Sequence, residues 1–211
     1  MNNFFSELKL KLTNYRNSQL ILNSSFKEIF SGYVYDEDML KDYLDSDNVL
    51  SRPEFLNILS KENKIIGITG THGKTSTTAL LAHIFHYNER NVSYIFGGIT
   101  SFHGIGGHYG DQDQPIILET DEAFNTFKDI NIDDLLVTNI DVDHLDYFKN
   151  FKNLLNAFKH VIENVKGNLV LNFDDQNLRE LKTINNCISY SSSEAADIQI
   201  QYPNKIIIKN E

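Results

Sequence analysis

The stretch "KIIGITGTHGKTSTTALLAHIFHY" (64–87) constrains the fold more than any other part of the chain. After Lys64 it opens on "IIGIT", a short, mainly apolar run with a β-branched bias, the signature of a short buried strand. A turn bracketed by Gly70 and Gly73 follows. The run after the turn reads as a helix with Leu80, Leu81, Ile84 and Phe85 on one apolar face. Strand, glycine turn and helix in that order point to a parallel α/β sheet with the turn at a carboxyl strand end, where such sheets bind ligands.

The turn itself carries chemistry. Gly73-Lys74-Thr75 matches the end of the phosphate-loop pattern G-x-x-x-x-G-K-[ST], but Ile68 stands where its first glycine belongs. What remains is the shorter G-x-x-G-K-T. Gly70 and Gly73 reach backbone conformations closed to other residues, so amides can converge on an anion. The helix adds its positive end, Lys74 a mobile charge, and Thr75 a hydroxyl placed to ligate Mg²⁺. The phosphate cradle expected here spans Gly70, Thr71, His72, Gly73, Lys74, Thr75 and Ser76. For G-K-T alone a plain tight corner would be the better reading; the flanking strand and helix favour phosphate. His72 either touches that phosphate or caps the loop.

Beyond the turn, apolar runs and helical patterns alternate. Strands are expected at "VSYIF", "PIILET", "DLLVTNI" and "NLVLN", helices near 122–128, over 151–165 and over 174–182, and short strands near 187–190, 197–201 and 205–208. The fold class is therefore α/β, a mostly parallel sheet of phosphate-loop type with helices on both faces. The last three strands would form an edge or a separate small sheet. Before the turn, "SQLILNSS" reads as a strand, "DEDMLKDYLD" as a helix, "NVLS" as a strand, and "RPEFLNILSKEN" as a helix opened by Pro53. The best single division puts a partial α/β region at 1–61 and the main domain at 62–211.

Charge narrows the partners. Nineteen Lys and Arg oppose 29 Asp and Glu, a formal net charge of −10, which repels nucleic acid and anionic membrane surfaces. Lone Cys187 can form neither an internal disulfide nor a cysteine zinc cluster, and no apolar run has membrane-span length. A cytoplasmic protein acting on small molecules, without membrane insertion, is expected.

Two further stretches sit at strand ends. "ILETDE" places Glu119, Asp121 and Glu122 after one strand, and "VTNIDVDHLD" places Asp141, Asp143, His144 and Asp146 after another. Both should gather on the edge that holds the turn. Imidazole with carboxylates suits zinc or general-base work, but beside a triphosphate a Mg²⁺ site asks least of the protein. Glu119 and His144 are the favoured ligands; the four aspartates are as well explained by a solvated acidic loop. His83 and His86 read as packing or surface residues. His103 and His108, in the loop "GGITSFHGIGGHYGD", would contact an anionic second substrate or belong to a mobile loop.

Taken together, "GTHGKTSTT", "ETDE" and "TNIDVDHLDYF" resemble the Mur ligases, the ATP-dependent amide ligases of peptidoglycan precursor synthesis, and most closely their alanine-adding branch. "SRPEFLNIL" resembles the segment leading into that family's central domain. The resemblance implies Lys74 as the phosphate-binding and catalytic lysine, Thr75 as the Mg²⁺-ligating hydroxyl, Glu119 as the glutamate bridging the metals, and His144 as the histidine on the second Mg²⁺. It further implies ATP and Mg²⁺ as cofactors, UDP-N-acetylmuramate and L-alanine as substrates, and an acyl phosphate that the incoming amine attacks. Some relatives carry a carbamylated lysine fifteen residues after this histidine; the alanine-adding branch generally lacks it, so Lys159 reads as helix surface. The family has three domains, and this chain reads as the central one with part of the first. Two alternatives follow: a nucleotide-binding paralogue without ligase activity, and the related murein tripeptide-recycling ligase.

Overall fold

Among the described residues nine strands form the main sheet, in the spatial order 205–208, 198–201, 187–191, 169–172, 134–137, 65–69, 116–119, 93–95 and 107–108. The computed structural model describes residues 49–104, 106–181, 187–201 and 205–208, and three short strands before them. These are β1 (Lys11–Leu12), β2 (Gln19–Ile21) and β3 (Glu28–Phe30), which join β4 (Val49–Ser51) in a four-stranded sheet. Only the β3–β4 pair in it is parallel. The segment expected as a helix at "DEDMLKDYLD" lies outside the described residues. Helix α1 (Arg52–Glu62) follows, and the chain divides into compact units at Met1–Lys61 and Glu62–Glu211.

In the second unit the expected alternation is present. β5 (Ile65–Thr69) leads into α2 (Lys74–Tyr87) and β6 (Ser93–Ile95); β7 (Gly107–His108) follows as an antiparallel edge strand. β8 (Ile116–Glu119) returns between β5 and β6, and β9 (Asp134–Val137) crosses to the far side of β5. That crossing makes β5 the switch point of the sheet, with a crevice at its carboxyl end. A 3₁₀ helix (Ala123–Asp129) occupies the helix position near 122–128. α3 (Leu145–Phe148) and α4 (Phe151–Glu163) precede β10 (Leu169–Asn172), and α5 (Gln176–Glu180) precedes β11 (Cys187–Ser191). β12 (Ile198–Gln201) and β13 (Lys205–Ile208) extend the main sheet as its edge, not as a sheet of their own.

The core reflects strands covered on both faces. Ile65, Ile68, Ile117, Leu118 and Val137 are all buried, and α4 adds Leu154, Phe158 and Ile162. Each such side chain contributes about 1.5–3 kcal/mol. Phe158 meets Phe127 edge-to-face at 5.3 Å, fixing α4 to the 3₁₀ helix. The expected apolar face of α2, Leu80, Leu81, Ile84 and Phe85, is not the face it buries. The buried face of α2 is Thr78 and Ala82, flanked by half-buried Leu81 and Phe85; Leu80 and Ile84 are exposed. The helix lies rotated because its first turn must face the crevice, and small Thr78 and Ala82 let it sit close to Ile68, Tyr94 and Ile117.

At the carboxyl strand ends, Asp174 accepts from the Ser191 hydroxyl and from the backbone amides and hydroxyls of Ser192 and Ser193. Those bonds hold its carboxyl far below the ordinary carboxylate range, against the opposing effect of burial. They tie the loop after β11 to the end of β10.

Candidate functional site

Register builds the site. Pairing sets Ile68 opposite Glu119 and Thr69 opposite Val137, so the residues after β5, β8 and β9 emerge together. Gly70 follows directly, with φ +131°, and a Cβ there would collide with Thr138 Oγ1 and the Asn139 backbone. Glycine is required by close approach of the neighbouring strand. Gly73, with φ +84°, has open space around it, so there glycine answers only the left-handed backbone that turns the chain into α2.

The residues after β9 clamp the turn. Asn139 accepts the Thr71 amide through its carbonyl and the His72 amide through Oδ1, at 3.0 and 2.9 Å. Thr138 Oγ1 donates to the His72 carbonyl at 2.7 Å. Thr71 Oγ1 accepts the Asp141 amide at 2.8 Å. The amides of Thr71 and His72 are therefore committed to the protein. Those of Lys74, Thr75 and Ser76 precede the first helical bond, from Thr77 N–H to the Gly73 carbonyl, and no side chain caps the helix. They lie at its positive end, the arrangement that binds anions.

Side chains after β8 and β9, and a backbone amide after β6, meet at this turn in two groups. Thr75 Oγ1 donates to Glu119 Oε1 at 2.9 Å, and the Gly97 amide to Glu119 Oε2 at 2.8 Å. A hydroxyl beside a carboxylate is a hard-oxygen pair suited to Mg²⁺. In the second group, Lys74 Nζ donates to Glu122 Oε2 at 2.8 Å, to Oε1 at 3.0 Å and to the Gly70 carbonyl at 2.7 Å. His144 Nε2 stands 3.9 Å from Glu122 Oε1. Burial pushes the Glu122 carboxyl up; the Lys74 ammonium pulls it back only in part.

The sequence pairs Glu119 with His144, whereas the structure groups His144 with Asp121 and Glu122: ligand atoms of these three lie within 4.8 Å of one another. His144 itself is held at φ +51°, a left-handed conformation that costs a non-glycine residue roughly 1–2 kcal/mol. Asp141 is exposed, with Oδ2 3.8 Å from His72 Nε2. Asp143 Oδ1 accepts the His144 amide, and Asp146 lies on the exposed side of α3. Lys159 pairs with Glu163 on the outer face of α4.

Both histidines of the glycine-rich loop have ring and hydrogen-bond partners. The His103 ring lies tilted against that of His108, with centroids 4.0 Å apart, and His103 Nδ1 bonds the Tyr94 hydroxyl at 2.8 Å. His86 stacks on Phe102 beside them. The sequence does not single out Thr138, Asn139 or Gly97: "DLLVTNI" places the first two inside an expected strand, which in the structure stops at Val137.

The profile of the Mur ligase middle domain matches residues 68–207. The UDP-N-acetylmuramate–L-alanine ligase of Borrelia garinii is 35% identical over 201 residues, covering 90% of this chain and 42% of that protein. The same ligase of Borreliella burgdorferi is 35% identical over 190 residues, covering 85% of this chain and 41% of that protein. The chain thus spans less than half the length of the curated relatives it matches. Among solved structures, the UDP-N-acetylmuramate-alanine ligase of Thermotoga maritima superposes with a TM-score of 0.68 at 22% identity, covering 81% of this chain and 39% of that one. A MurF ligase from Thermotoga maritima in complex with ADP gives 0.55 at 19% identity, covering 83% of this chain and 50% of that one. At those identities the likeness shows the fold.

Proposed function

This chain belongs to the Mur ligase family, and from that premise we propose that Glu62–Glu211 is the ATP-binding core of a UDP-N-acetylmuramate–L-alanine ligase. Residues 1–61 then represent part of the first domain. The observation that carries the reading is the turn itself: outward amides of Lys74, Thr75 and Ser76 at an uncapped helix start, with a lysine ammonium directly over the glycine turn.

The donor set fits a magnesium nucleotide. Gly70 and Gly73 shape the cradle, and Thr71 and His72 hold it to the end of β9 through Asn139. The amides of residues 74–76 and the Lys74 ammonium receive the phosphates. Thr75 and Glu119 offer hard oxygens to Mg²⁺, and His144 stands ready for a second ion. When bound, Mg²⁺ offsets phosphate charge. The chain's own residues supply positioning and electrostatic stabilisation, the main demands of phosphoryl transfer.

The reaction proposed for the whole protein follows the family. The γ-phosphoryl group passes to the carboxylate of UDP-N-acetylmuramate, and the L-alanine amine then displaces phosphate to form the amide. Such substrates place the work in the cytoplasm, in keeping with the lone cysteine, and no described helix is long and apolar enough to cross a membrane. The test is phosphate release from ATP by the protein carrying these 211 residues, supplied with UDP-N-acetylmuramate and L-alanine. Release should require both substrates and vanish in Lys74→Ala. Release independent of both substrates, or unchanged in the variant, contradicts the ligase reading.

A further inference from the structure

The Lys74 ammonium has three N–H donors, and all of them are engaged by the Gly70 carbonyl and the two oxygens of Glu122, with the Thr71 carbonyl a longer contact at 3.4 Å. The Glu122 carboxylate is fully buried, whereas Lys74 keeps 13% of its side-chain surface. The carboxylate thus lies beneath the ammonium, and the ammonium faces the turn. A phosphate oxygen gains the lysine only by taking a donor already in use.

The geometry points to Glu122 as the positioning residue of the cradle: it sets where Lys74 rests and offsets its charge, so that phosphate binding depends on an arriving cation. This inference rests on the nucleotide reading above. With Lys74 and Glu122 close to neutral as a pair, the helix start alone must attract the anion, and a helix terminus carries only about half a charge. Asp121, with Oδ1 3.9 Å from Lys74, adds further negative potential. A metal-free polyphosphate therefore meets a site with little net attraction, and the magnesium complex a site matched to it.

A direct metal-ligand role for Glu122 is the competing account. Both carboxylate oxygens already accept from Lys74 at 3.0 and 2.8 Å, so an ion bound there would share them with the ammonium and meet its like charge. The two accounts make opposite predictions for Glu122→Gln, which keeps the shape and an acceptor but removes the charge.

Calorimetric titration of the 211-residue chain with ADP, in Mg²⁺ and in EDTA, separates them. If Glu122 positions Lys74, Glu122→Gln binds metal-free ADP about tenfold more tightly than the unaltered chain, and the gain from adding Mg²⁺ shrinks correspondingly. Unchanged metal-free affinity overturns the inference, as does a loss confined to the Mg²⁺ samples. A purely structural role would shift both affinities alike. A second measurement needs no change at Glu122: ¹⁵N NMR of the unaltered chain should show a slowly exchanging Lys74 ammonium, identified by its loss in Lys74→Arg, that moves when ADP is added. Absence of that signal also overturns the inference. Should the unaltered chain bind no ADP in either buffer, the nucleotide reading itself fails; binding there with an unresponsive Glu122→Gln defeats only the role given to Glu122.

Discussion

Asn139 grips His72 on both sides of its residue, Oδ1 accepting the His72 amide and Nδ2 donating to the His72 carbonyl, each at 2.9 Å. The two residues are 67 apart in the chain, and their pairing ties the phosphate turn to the end of the neighbouring strand. Asn139→Ala removes both bonds. It should cost about 1–3 kcal/mol in denaturant unfolding and weaken ADP binding, because the turn loses its fixed shape. Equal ADP affinity in the variant would show that the turn holds its form without the clamp.

The two turn glycines should respond differently to alanine. At residue 70 the added methyl meets Thr138 and the Asn139 backbone, on top of a φ of +131°, so Gly70→Ala should lose about 2–5 kcal/mol. At residue 73 nothing lies in the way, and Gly73→Ala should lose only about 1–2 kcal/mol of backbone strain. Thermal melts of the two variants compare them directly. Similar losses would show that steric approach is not what selects glycine at 70.

The packed histidines give the chain an acid sensitivity. Burial, followed by the nearby His86, lowers the His103 pKa; burial, then His103 and His86, lowers that of His108, with Asp111 opposing. The folded form therefore takes up these protons at lower pH than the unfolded chain. Stability from the neutral pair is present above the unfolded value of ~6.5 and is lost as pH falls from there through the depressed folded values. Melting temperatures between about pH 7.5 and about pH 5.5 should fall more for the natural chain than for His103→Gln/His108→Gln. Parallel curves would mean that the pair titrates normally.

Glu119 touches Thr75 and the Gly97 amide, which places it beside the hydroxyl proposed for Mg²⁺. Glu119→Ala should weaken ADP binding in Mg²⁺ by about tenfold while leaving metal-free binding within about twofold. Equal losses in both buffers would argue for a role in shaping the loop at Gly97 instead.

Local patterns told much of this in advance. β5, the turn and α2 are contiguous, so periodicity and turn chemistry reveal them, and Lys74 and Thr75 follow from their place in the turn. Partnership is another matter. Lys74 meets Glu122 across 48 residues, and "ETDE" offers three carboxylates with nothing local to say which faces the lysine and which faces Thr75. The strand register and the 3₁₀ helix after β8 decide that. The buried face of α2 was misleading for a related reason: Thr78 and Ala82 are small and do not stand out in an apolar pattern, yet closeness to the sheet selects them over Leu80 and Ile84. β7 has only two residues and pairs through its backbone with β6, too short to leave a period.

The central claim is that the turn from Gly70 to Ser76 receives the phosphates of a magnesium nucleotide, and titration of MgATP into the 211-residue chain tests it most directly. The unaltered chain should bind, and Lys74→Ala, verified as folded by circular dichroism, should bind at least about tenfold more weakly. No binding by the unaltered chain, or equal binding by the two, would contradict the account.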